Sequence, residues 1–426
     1  MSDHSGSTVQ SASDERALED VVLVTVDSWR ADHCGFMGYE RETTPTIDAL
    51  AEDGLVLENA IAPAPATNSS VSVMFTGQYQ NPALESNDID YTERVRQHMR
   101  ARRTLPQRFK DLGYETVAFT ANPWTSRYFN FDRNFDHFED FMDENLSSGF
   151  VKDGADKRGL VSDLAAQLLN WYQGQDMFMS WESFYDDVLA WLDDADSPYF
   201  LWLFLVDVHM PYFPPAGYRS RSRLSTWPAN VSLFAGQYEL PFESLFHDVL
   251  VDAYDDSIRY TDAFVDRFTD DVDGDPLIVL TGDHGEAFGE NGVYGHGPEV
   301  SEAMLHVPFV VLNGPTKTVE RPFSLRKLPE FLPQLAAGED VESLLEPTVW
   351  ARNYDPAILI RGQNWRFEWR PAETQVAVRE DGVWEERSVP ELKMLGRELL
   401  ETRVEQERER GRILEAAEAV TADAAL

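Results

Sequence analysis

Residues 277–297 read LIVLTGDHGEAFGENGVYGHG, a short apolar run followed by polar and glycine residues. A run of this length and composition predicts a buried β-strand. It ends at Asp283 and His284, and a second histidine, His296, follows in the glycine-rich part. A carboxylate beside an imidazole can ligate a metal, and open α/β sheets carry their sites at the carboxyl ends of strands. The stretch predicts a strand with a metal site at its end, and an ordinary polar turn is the alternative interpretation.

Three further apolar runs have the same form and favour the metal-site interpretation. They cover residues 21–26, 116–120 and 199–206. The polar groups that follow them are, in chain order, Asp27, Asn122, Asp207 and His209. Because parallel strands place their carboxyl ends along one edge of a sheet, we expect these groups to converge in space.

Segments with helical spacing alternate with the apolar runs, which predicts an α/β fold with a large, mostly parallel sheet flanked by helices. The predicted helices cover residues 44–54, 67–77, 105–112, 160–172, 181–192 and 254–268. Beyond residue 337 the pattern changes to hairpin strands, with Asp381 and Gly382 as a turn, which predicts a small C-terminal antiparallel sheet.

Residues 390–420 are rich in charged residues and alanine, which predicts a solvated terminal helix. The alternative is a dimerising coil, which would make the protein a homo-oligomer. The chain is thus expected to have four parts. These are a flexible segment at 1–19, the main α/β domain at 20–337, the antiparallel subdomain at 338–395 and the charged helical tail at 396–426.

The charge of the chain limits its partners. Its 426 residues include 36 Lys and Arg against 75 Asp and Glu, for a formal net charge of −39. This excess repels nucleic acids and anionic membranes, which argues against either as a partner surface. It also destabilises a compact fold unless salt screens the repulsion, which predicts a halophilic protein that works in molar salt.

The chain contains no apolar stretch near the roughly 20 residues that span a bilayer, so no membrane span is expected. Its first twenty residues are polar and lack the apolar core of a signal peptide. The single cysteine, Cys34, fits a reducing compartment. Together these features predict a cytoplasmic location.

The segment from Thr67 to Gly77 contains the predicted nucleophile. It begins with hydroxyl residues and continues as a short helix with apolar groups on one face. A side chain in the first helical turn lies at the positive end of the helix dipole, beside N–H groups that can hold an anion. A threonine hydroxyl is a poor nucleophile unless a nearby metal ion lowers its pKa. The alternative interpretation is that Thr67 is only the N-cap of the helix.

Several segments, in order, resemble the sulfatases of the alkaline phosphatase superfamily. They are residues 26–60, the stretch ending in FTGQY at 75–79, GYETVAFTANPW at 113–124, DVHMPY at 207–212, the helix at 254–262, TGDHGE at 281–286 and HVP at 306–308. The series covers roughly residues 20–312. The resemblance implies a large α/β fold with a smaller C-terminal antiparallel sheet, which agrees with the pattern described above.

The resemblance also implies site residues. Asp27, Asp283 and His284 match metal ligands, and Ser28 stands where many sulfatases have a second acidic ligand. A single divalent ion is expected, Mn²⁺, Mg²⁺, Ca²⁺ or Zn²⁺, and a second metal is the alternative.

Two histidines match positions near the substrate. His209 matches a histidine that binds the anionic group of the substrate or assists the leaving group. His296 stands where sulfatases commonly have a lysine, so it would contact substrate, act as a catalytic group or ligate a second metal. Asn122 and Asp207 are the remaining candidates for substrate binding, and Asp207 is alternatively a turn residue at a strand end.

The nucleophile position departs from the sulfatase pattern. Sulfatases have Cys or Ser, then x-Pro-x-Arg, at the start of the nucleophile helix, and the first residue becomes formylglycine. Here the corresponding residues are Thr67, Ser69 and Val71. Oxidising the secondary alcohol of threonine would give a ketone, so formylglycine cannot form. Threonine at this position resembles the phosphodiesterases, nucleotide pyrophosphatases and phosphoglycerol transferases of the superfamily.

The sequence therefore predicts a metal-dependent hydrolase that cleaves a phosphate ester or diester through Thr67. Its substrate would be an anionic ester of a small molecule, a glycan or a lipid headgroup. The alternatives are a sulfuric ester hydrolase that works without formylglycine, a phospho-group transferase and a non-catalytic binding descendant.

Overall fold

The computed structural model describes residues 18–80, 91–141, 178–195, 198–236, 238–297, 299–353 and 357–423. Seventeen strands lie within these ranges. They are β1 (Val21–Val26), β2 (Leu55–Leu57), β3 (Ala60–Ile61), β4 (Glu115–Thr120), β5 (His137–Glu139), β6 (Tyr199–Leu205), β7 (Leu277–Gly282), β8 (Ala287–Phe288), β9 (Tyr294–Gly295), β10 (Phe309–Leu312), β11 (Lys317–Val319), β12 (Phe323–Ser324), β13 (Val349–Arg352), β14 (Ile358–Arg361), β15 (Trp365–Arg370), β16 (Glu373–Glu380) and β17 (Val383–Glu386).

Ten α-helices lie in the same described ranges. They are α1 (Pro45–Ala51), α2 (Thr67–Thr76), α3 (Tyr91–Ala101), α4 (Leu105–Asp111), α5 (Tyr185–Asp194), α6 (Arg223–Gly236), α7 (Glu243–Asp271), α8 (Glu302–Leu305), α9 (Leu328–Ala336) and α10 (Pro390–Asp423). No helix in the described part of the chain is both long enough and apolar enough to cross a membrane.

The main sheet has eight strands in the order β11-β2-β10-β7-β1-β6-β4-β5. Only β10 runs against the others, pairing antiparallel with β7 and β2. The three central strands β6, β1 and β7 are buried along their whole length, as their continuous apolar runs predict for strands covered on both faces. The predicted fold class, a mostly parallel α/β sheet with a separate antiparallel sheet, is confirmed.

The register of the central strands places their ends level with one another. Val26 at the end of β1 is paired with Leu205 of β6 and with Gly282 of β7. The residues that follow these three positions therefore lie side by side at one edge of the sheet, where their side chains can form a common site.

The second sheet consists of β13 to β17 in chain order, with every neighbouring pair antiparallel. It packs against α10 and shares a small apolar cluster with residues around α2, including Val73 and Tyr79. The Tyr79 hydroxyl donates a 2.6 Å hydrogen bond to the Trp350 carbonyl of β13. The small sheet is thus attached directly to the segment that carries the predicted nucleophile.

Most of the predicted helices are present, and two of them differ from the prediction in their bounds. The segment 181–192 is a short 3-10 turn, Trp181–Ser183, followed after Phe184 by α5. The helix predicted at 254–268 begins eleven residues earlier, at Glu243. Once the buried part of a helix has formed, further turns of mixed polar and apolar residues can be added to its end. The helix predicted at 160–172 lies outside the described residues.

Candidate active site

Asp27 and Asp283 lie side by side at the carboxyl ends of β1 and β7. Ser28 has a φ of 60°, which turns the chain sharply after Asp27. This turn lets the Ser28 N–H donate a 3.1 Å hydrogen bond to Asp283 Oδ1, and the His284 N–H donates a second one of 2.8 Å. The Ser28 hydroxyl donates to Asp27 Oδ1 at 3.1 Å. Backbone amides and a hydroxyl therefore fix the orientation of both carboxylates.

His284 completes a compact group with the two aspartates. Its Nδ1 lies 2.8 Å from the Gly285 carbonyl oxygen, so Nδ1 is the protonated nitrogen and donates there. This leaves the Nε2 lone pair facing the carboxylates, 3.6 Å from Asp27 Oδ1 and 3.5 Å from Asp283 Oδ2. Gly285 permits the arrangement because a Cβ at this position would overlap the carbonyl oxygen of Ala303.

The donor set fits a divalent cation. One ligand atom from each of Asp27, Asp283 and His284 lies within 4.8 Å of the others, and all three residues are buried. Asp283 Oδ2 is buried and makes no hydrogen bond to any described residue. Burial, followed by the neighbouring Asp27 charge, holds the pKa of Asp283 well above its usual range. A buried carboxylate oxygen without a donor, next to a second carboxylate, has the electrostatics of a cation ligand.

The protonation of His284 is consistent with ligation through Nε2. Burial, followed by the proximity of His296, lowers the pKa of His284 to about 4, so its ring is neutral at physiological pH. A neutral imidazole is the form that binds metals. These three residues are the only such group of three or more candidate ligands found among the residues that the structure describes.

Thr67 is the first residue of α2 and faces this group. Ala66, not Thr67, is the N-cap residue of the helix. The Thr67 hydroxyl oxygen lies 3.3 Å from His284 Nε2, and only 5% of the residue is exposed. One turn further, the Ser70 hydroxyl donates a 2.5 Å hydrogen bond to the Asp283 carbonyl oxygen, which holds the start of α2 against the end of β7. The structure thus brings Thr67 to the three candidate ligands.

Asn122, predicted to bind substrate, contacts Asp27. Its Nδ2 donates a 2.6 Å hydrogen bond to Asp27 Oδ2, and its Oδ1 accepts one of 2.7 Å from the Trp124 N–H. Asn122 is 2% exposed. Both ends of the amide are therefore used to hold the Asp27 carboxylate in place, and its predicted role in substrate binding stays a prediction.

His296 lies next to the candidate ligand His284, and His209 lies next to His296. The His296 ring centroid is 4.6 Å from that of His284 and 4.9 Å from that of His209. Nδ1 of His296 lies 3.1 Å from Oε1 of Glu286, so Nδ1 donates a hydrogen bond to this carboxylate. The other ring nitrogen, Nε2, then faces away from Glu286. Nδ1 of His209 lies 2.5 Å from the Met210 carbonyl oxygen.

Glu286 lies beside the predicted site residue His296, but it was not predicted from the sequence. It is fully buried, and its Oε2 accepts a 3.1 Å hydrogen bond from the Tyr212 hydroxyl. Burial alone would lower the pKa of His296, but the Glu286 charge and hydrogen bond raise it above its ordinary value. The available signal was its place at the end of TGDHGE, two residues after His284.

Asp207 takes no part in the group of candidate ligands. Its carboxylate accepts hydrogen bonds of 3.3 and 3.4 Å from the Trp181 N–H, at the start of the 3-10 turn before α5. It also lines a cavity beside His209. Of the predicted site residues, the structure brings Asp27, Thr67, Asn122, Asp283, His284, His296 and His209 together and places Asp207 to one side.

Comparison with known proteins identifies the family. The sequence model of the sulfatase family matches residues 19–331, nearly three quarters of the chain. The chain belongs to the sulfatase family. Membership supports an enzyme that acts on sulfate or phosphate esters.

Individual relatives of this sulfatase-family chain are distant. It is 25% identical to human iduronate 2-sulfatase over 390 residues, which covers 80% of this chain and 67% of that protein. Its fold is similar to that of an alkaline phosphatase superfamily protein from Vibrio parahaemolyticus, with a TM-score of 0.60, 16% identity and coverage of 96% and 88% of the two chains. A phosphonate monoester hydrolase of Agrobacterium radiobacter gives a TM-score of 0.56, 16% identity and coverage of 85% and 89%.

Proposed function

We propose that this protein hydrolyses a phosphate ester or diester with Thr67 as the nucleophile. The observation that carries the proposal is the Thr67 hydroxyl, 3.3 Å from His284 Nε2 and beside two buried aspartates, at the position where sulfatases need Cys or Ser. Threonine cannot be converted to formylglycine, so its hydroxyl has to react as it is. A direct attack on phosphorus uses that hydroxyl without modification.

Asp27, Asp283 and His284 would hold one divalent cation, Mn²⁺, Mg²⁺, Ca²⁺ or Zn²⁺. When bound, such an ion supplies positive charge that stabilises an ionised hydroxyl and an anionic ester. A second metal is not part of the proposal, because no further ligand group occurs in the described ranges. Asn122 keeps Asp27 oriented, and the Ser28 and His284 amides do the same for Asp283.

Residues of the protein then carry out the steps of the proposed reaction. Thr67, at the positive end of α2, gives its hydroxyl proton to solvent and forms a bond from Oγ1 to phosphorus as the bond to the leaving alcohol oxygen breaks. His296, oriented by Glu286, or the adjacent His209 gives that oxygen a proton. Water next forms a bond to phosphorus as the bond from phosphorus to Oγ1 breaks, and a proton from that water restores the Thr67 hydroxyl. The alcohol and the phosphate leave as separate products.

Family membership favours a second candidate, hydrolysis of a sulfuric ester by the same residues without formylglycine. The substrate would again be an anionic ester of a small molecule, a glycan or a lipid headgroup. The cytoplasmic location expected from the sequence stays a prediction.

A substrate panel separates the two candidates. We expect the metal-loaded protein, assayed in about 2 M KCl to screen its charge, to turn over 4-nitrophenyl phosphate or bis(4-nitrophenyl) phosphate faster than 4-nitrophenyl sulfate. The three esters release the same nitrophenolate, so differences in kcat/KM do not come from the leaving group. A larger kcat/KM for the sulfate than for both phosphates would replace the first candidate by the second.

The charge of the chain leads to a prediction on stability. With 75 acidic against 36 basic residues, the folded state repels itself, and this repulsion weakens as the Debye length falls from about 10 Å at 0.1 M salt to about 3 Å at 1 M. We expect the unfolding temperature to rise markedly between about 0.1 and 2 M KCl, measured by circular dichroism. Equal stability at both concentrations would contradict the proposed adaptation to salt.

A further inference from the structure

The small C-terminal sheet contacts the His296 segment, residues 294–297. Asn353 comes directly after β13, and its Nδ2 donates a 2.6 Å hydrogen bond to the Gly297 carbonyl oxygen. The acceptor belongs to the residue next to His296, so this bond holds the backbone from which the imidazole projects. The second sheet therefore reaches the proposed active site through the main chain of the His296 segment.

The main domain holds the same segment through Tyr238. The Tyr294 N–H donates a 2.9 Å hydrogen bond to the Tyr238 carbonyl oxygen. Gly297 has a φ of 141°, which favours glycine, and a Cβ at this position would lie 3.0 Å from the Tyr238 hydroxyl oxygen. The backbone at Gly297 is therefore closely packed against Tyr238 and is also bonded to Asn353.

A second contact joins the same sheet to the chain just beyond this segment. Arg370, at the end of β15, forms an ion pair of 3.1 Å with Glu299, whose side chain is 15% exposed. Glu299 also accepts a 3.0 Å hydrogen bond from Asn291 Nδ2. The small sheet thus holds the chain at residue 297 and again at residue 299.

The direction of the His296 ring depends on where its backbone is held. Glu286 fixes one ring nitrogen, Nδ1, at 3.1 Å, but a ring that is held at one atom can still pivot if its Cα moves. A proton donor has to lie within hydrogen-bonding reach of the oxygen that it protonates. A displacement of about 1 Å can lower the rate on the order of a hundredfold.

We propose that Asn353 is a positioning residue for His296, so that the small C-terminal sheet takes part in the proposed reaction by holding the proton donor in place. The inference rests on the proposed function, because in that function a histidine gives the leaving alcohol oxygen its proton. It assigns this step to His296, with Asn353 acting through the Gly297 carbonyl, and not to His209.

The test compares two phosphates that differ in their need for a proton donor, on the metal-loaded full chain. Nitrophenolate is a stable anion and leaves without a proton, whereas phenolate leaves much more readily when it is protonated. We expect Asn353→Ala to lower kcat for phenyl phosphate by about ten- to a hundredfold and for 4-nitrophenyl phosphate by less than about threefold. A general loss of folded protein would lower both rates by the same factor.

Three further variants support the comparison. Asn353→Asp keeps the shape of the side chain and removes the donor, so it should show the same selective loss. His296→Ala should also show it, and addition of Asn353→Ala to that variant should cost nothing further. Gln363→Ala is the matched control and should keep both rates. It removes a 2.5 Å amide hydrogen bond, to Glu320, that also joins the small sheet to the main domain but does not involve the His296 segment.

The position of His296 can also be measured without turnover. In protein with isotope-labelled histidine, the His296 ring signal is the one of nine that is missing from the magnetic resonance spectrum of His296→Ala. We expect this signal to shift in Asn353→Ala and to keep its position in Gln363→Ala. This measurement tests the inference even if no ester is hydrolysed and the proposed function fails.

Four results would overturn the inference. They are an equal loss of both rates in Asn353→Ala, a further loss when Asn353→Ala is added to His296→Ala, a selective loss in His209→Ala that His296→Ala does not show, and an unshifted His296 signal in Asn353→Ala. If the protein hydrolyses sulfate esters and not phosphates, phenyl sulfate and 4-nitrophenyl sulfate replace the two phosphates and the same outcomes apply.

Discussion

Replacement of Thr67 by alanine is expected to lower kcat by a factor on the order of 10⁴ to 10⁶, the usual cost of losing the attacking group of an enzyme that works by covalent catalysis. The reason is geometric. Among the hydroxyls of α2, that of Thr67 is within hydrogen-bonding distance of His284 Nε2, whereas that of Ser70 donates to a backbone carbonyl. The measurement is steady-state turnover of whichever ester proves the best substrate.

Three companion measurements keep this result interpretable. Metal content by mass spectrometry should be the same in Thr67→Ala and wild type, because the candidate ligands are Asp27, Asp283 and His284. Ser72→Ala removes another buried hydroxyl of α2, which donates to the Ser69 carbonyl oxygen, and should leave kcat within a few-fold of wild type. Thr67→Ser should retain part of the activity. Wild-type turnover in Thr67→Ala would end the assignment of the nucleophile.

Replacement of Asp283 by asparagine is expected to remove the metal and, with it, all metal-dependent activity. Asparagine keeps the oxygen that accepts the Ser28 and His284 amides, so the local backbone should remain in place. The negative charge next to Asp27 is lost, and with it one of the two carboxylates that favour a cation. Metal content should fall from about one ion per chain to near zero.

The same variant should change stability in opposite directions with and without metal. Wild type should gain about 2.7 kcal/mol when free metal is a hundred times its Kd, and Asp283→Asn should gain nothing. Without metal, the variant should be more stable than wild type. Burial and the Asp27 charge raise the pKa of the Asp283 carboxyl, which means that the ionised carboxylate is unfavourable in the folded state, and asparagine removes that charge. Asp207→Asn, two residues after the end of β6, is the control and should bind metal normally. Full metal content in Asp283→Asn would contradict the proposed ligand set.

The main sheet and the two aspartates could be predicted from the sequence because each depends on local information. An apolar β-branched run such as 21–26 is buried in almost any α/β context, and the residue after it is fixed at the strand end by the chain itself. The same holds for 277–282 and Asp283. The structure confirms both strands.

The partners of the polar side chains could not be predicted in the same way. Asn122 and Asp207 both follow a strand, and nothing local distinguishes the one that reaches Asp27 from the one that binds the Trp181 amide. Glu286 is buried against Tyr212, which is 74 residues away in sequence, and against His296 in the loop that follows. Hydrogen bonds over such separations are decided by the packing of whole elements, which a single sequence does not encode residue by residue.

The pairing of β1 with β7 joins parts of the chain that are far apart in sequence, and this has a consequence for how the protein assembles. Ser28 and Asp283 are hydrogen-bonded across a separation of 255 residues. Closing a loop of that length costs conformational entropy before any contact forms, and folding rates fall as such contacts dominate. The group of candidate ligands therefore cannot form in a nascent chain until β7 has left the ribosome and docked beside β1. Binding of the proposed ion would for that reason come late in folding, after β1 and β7 have paired.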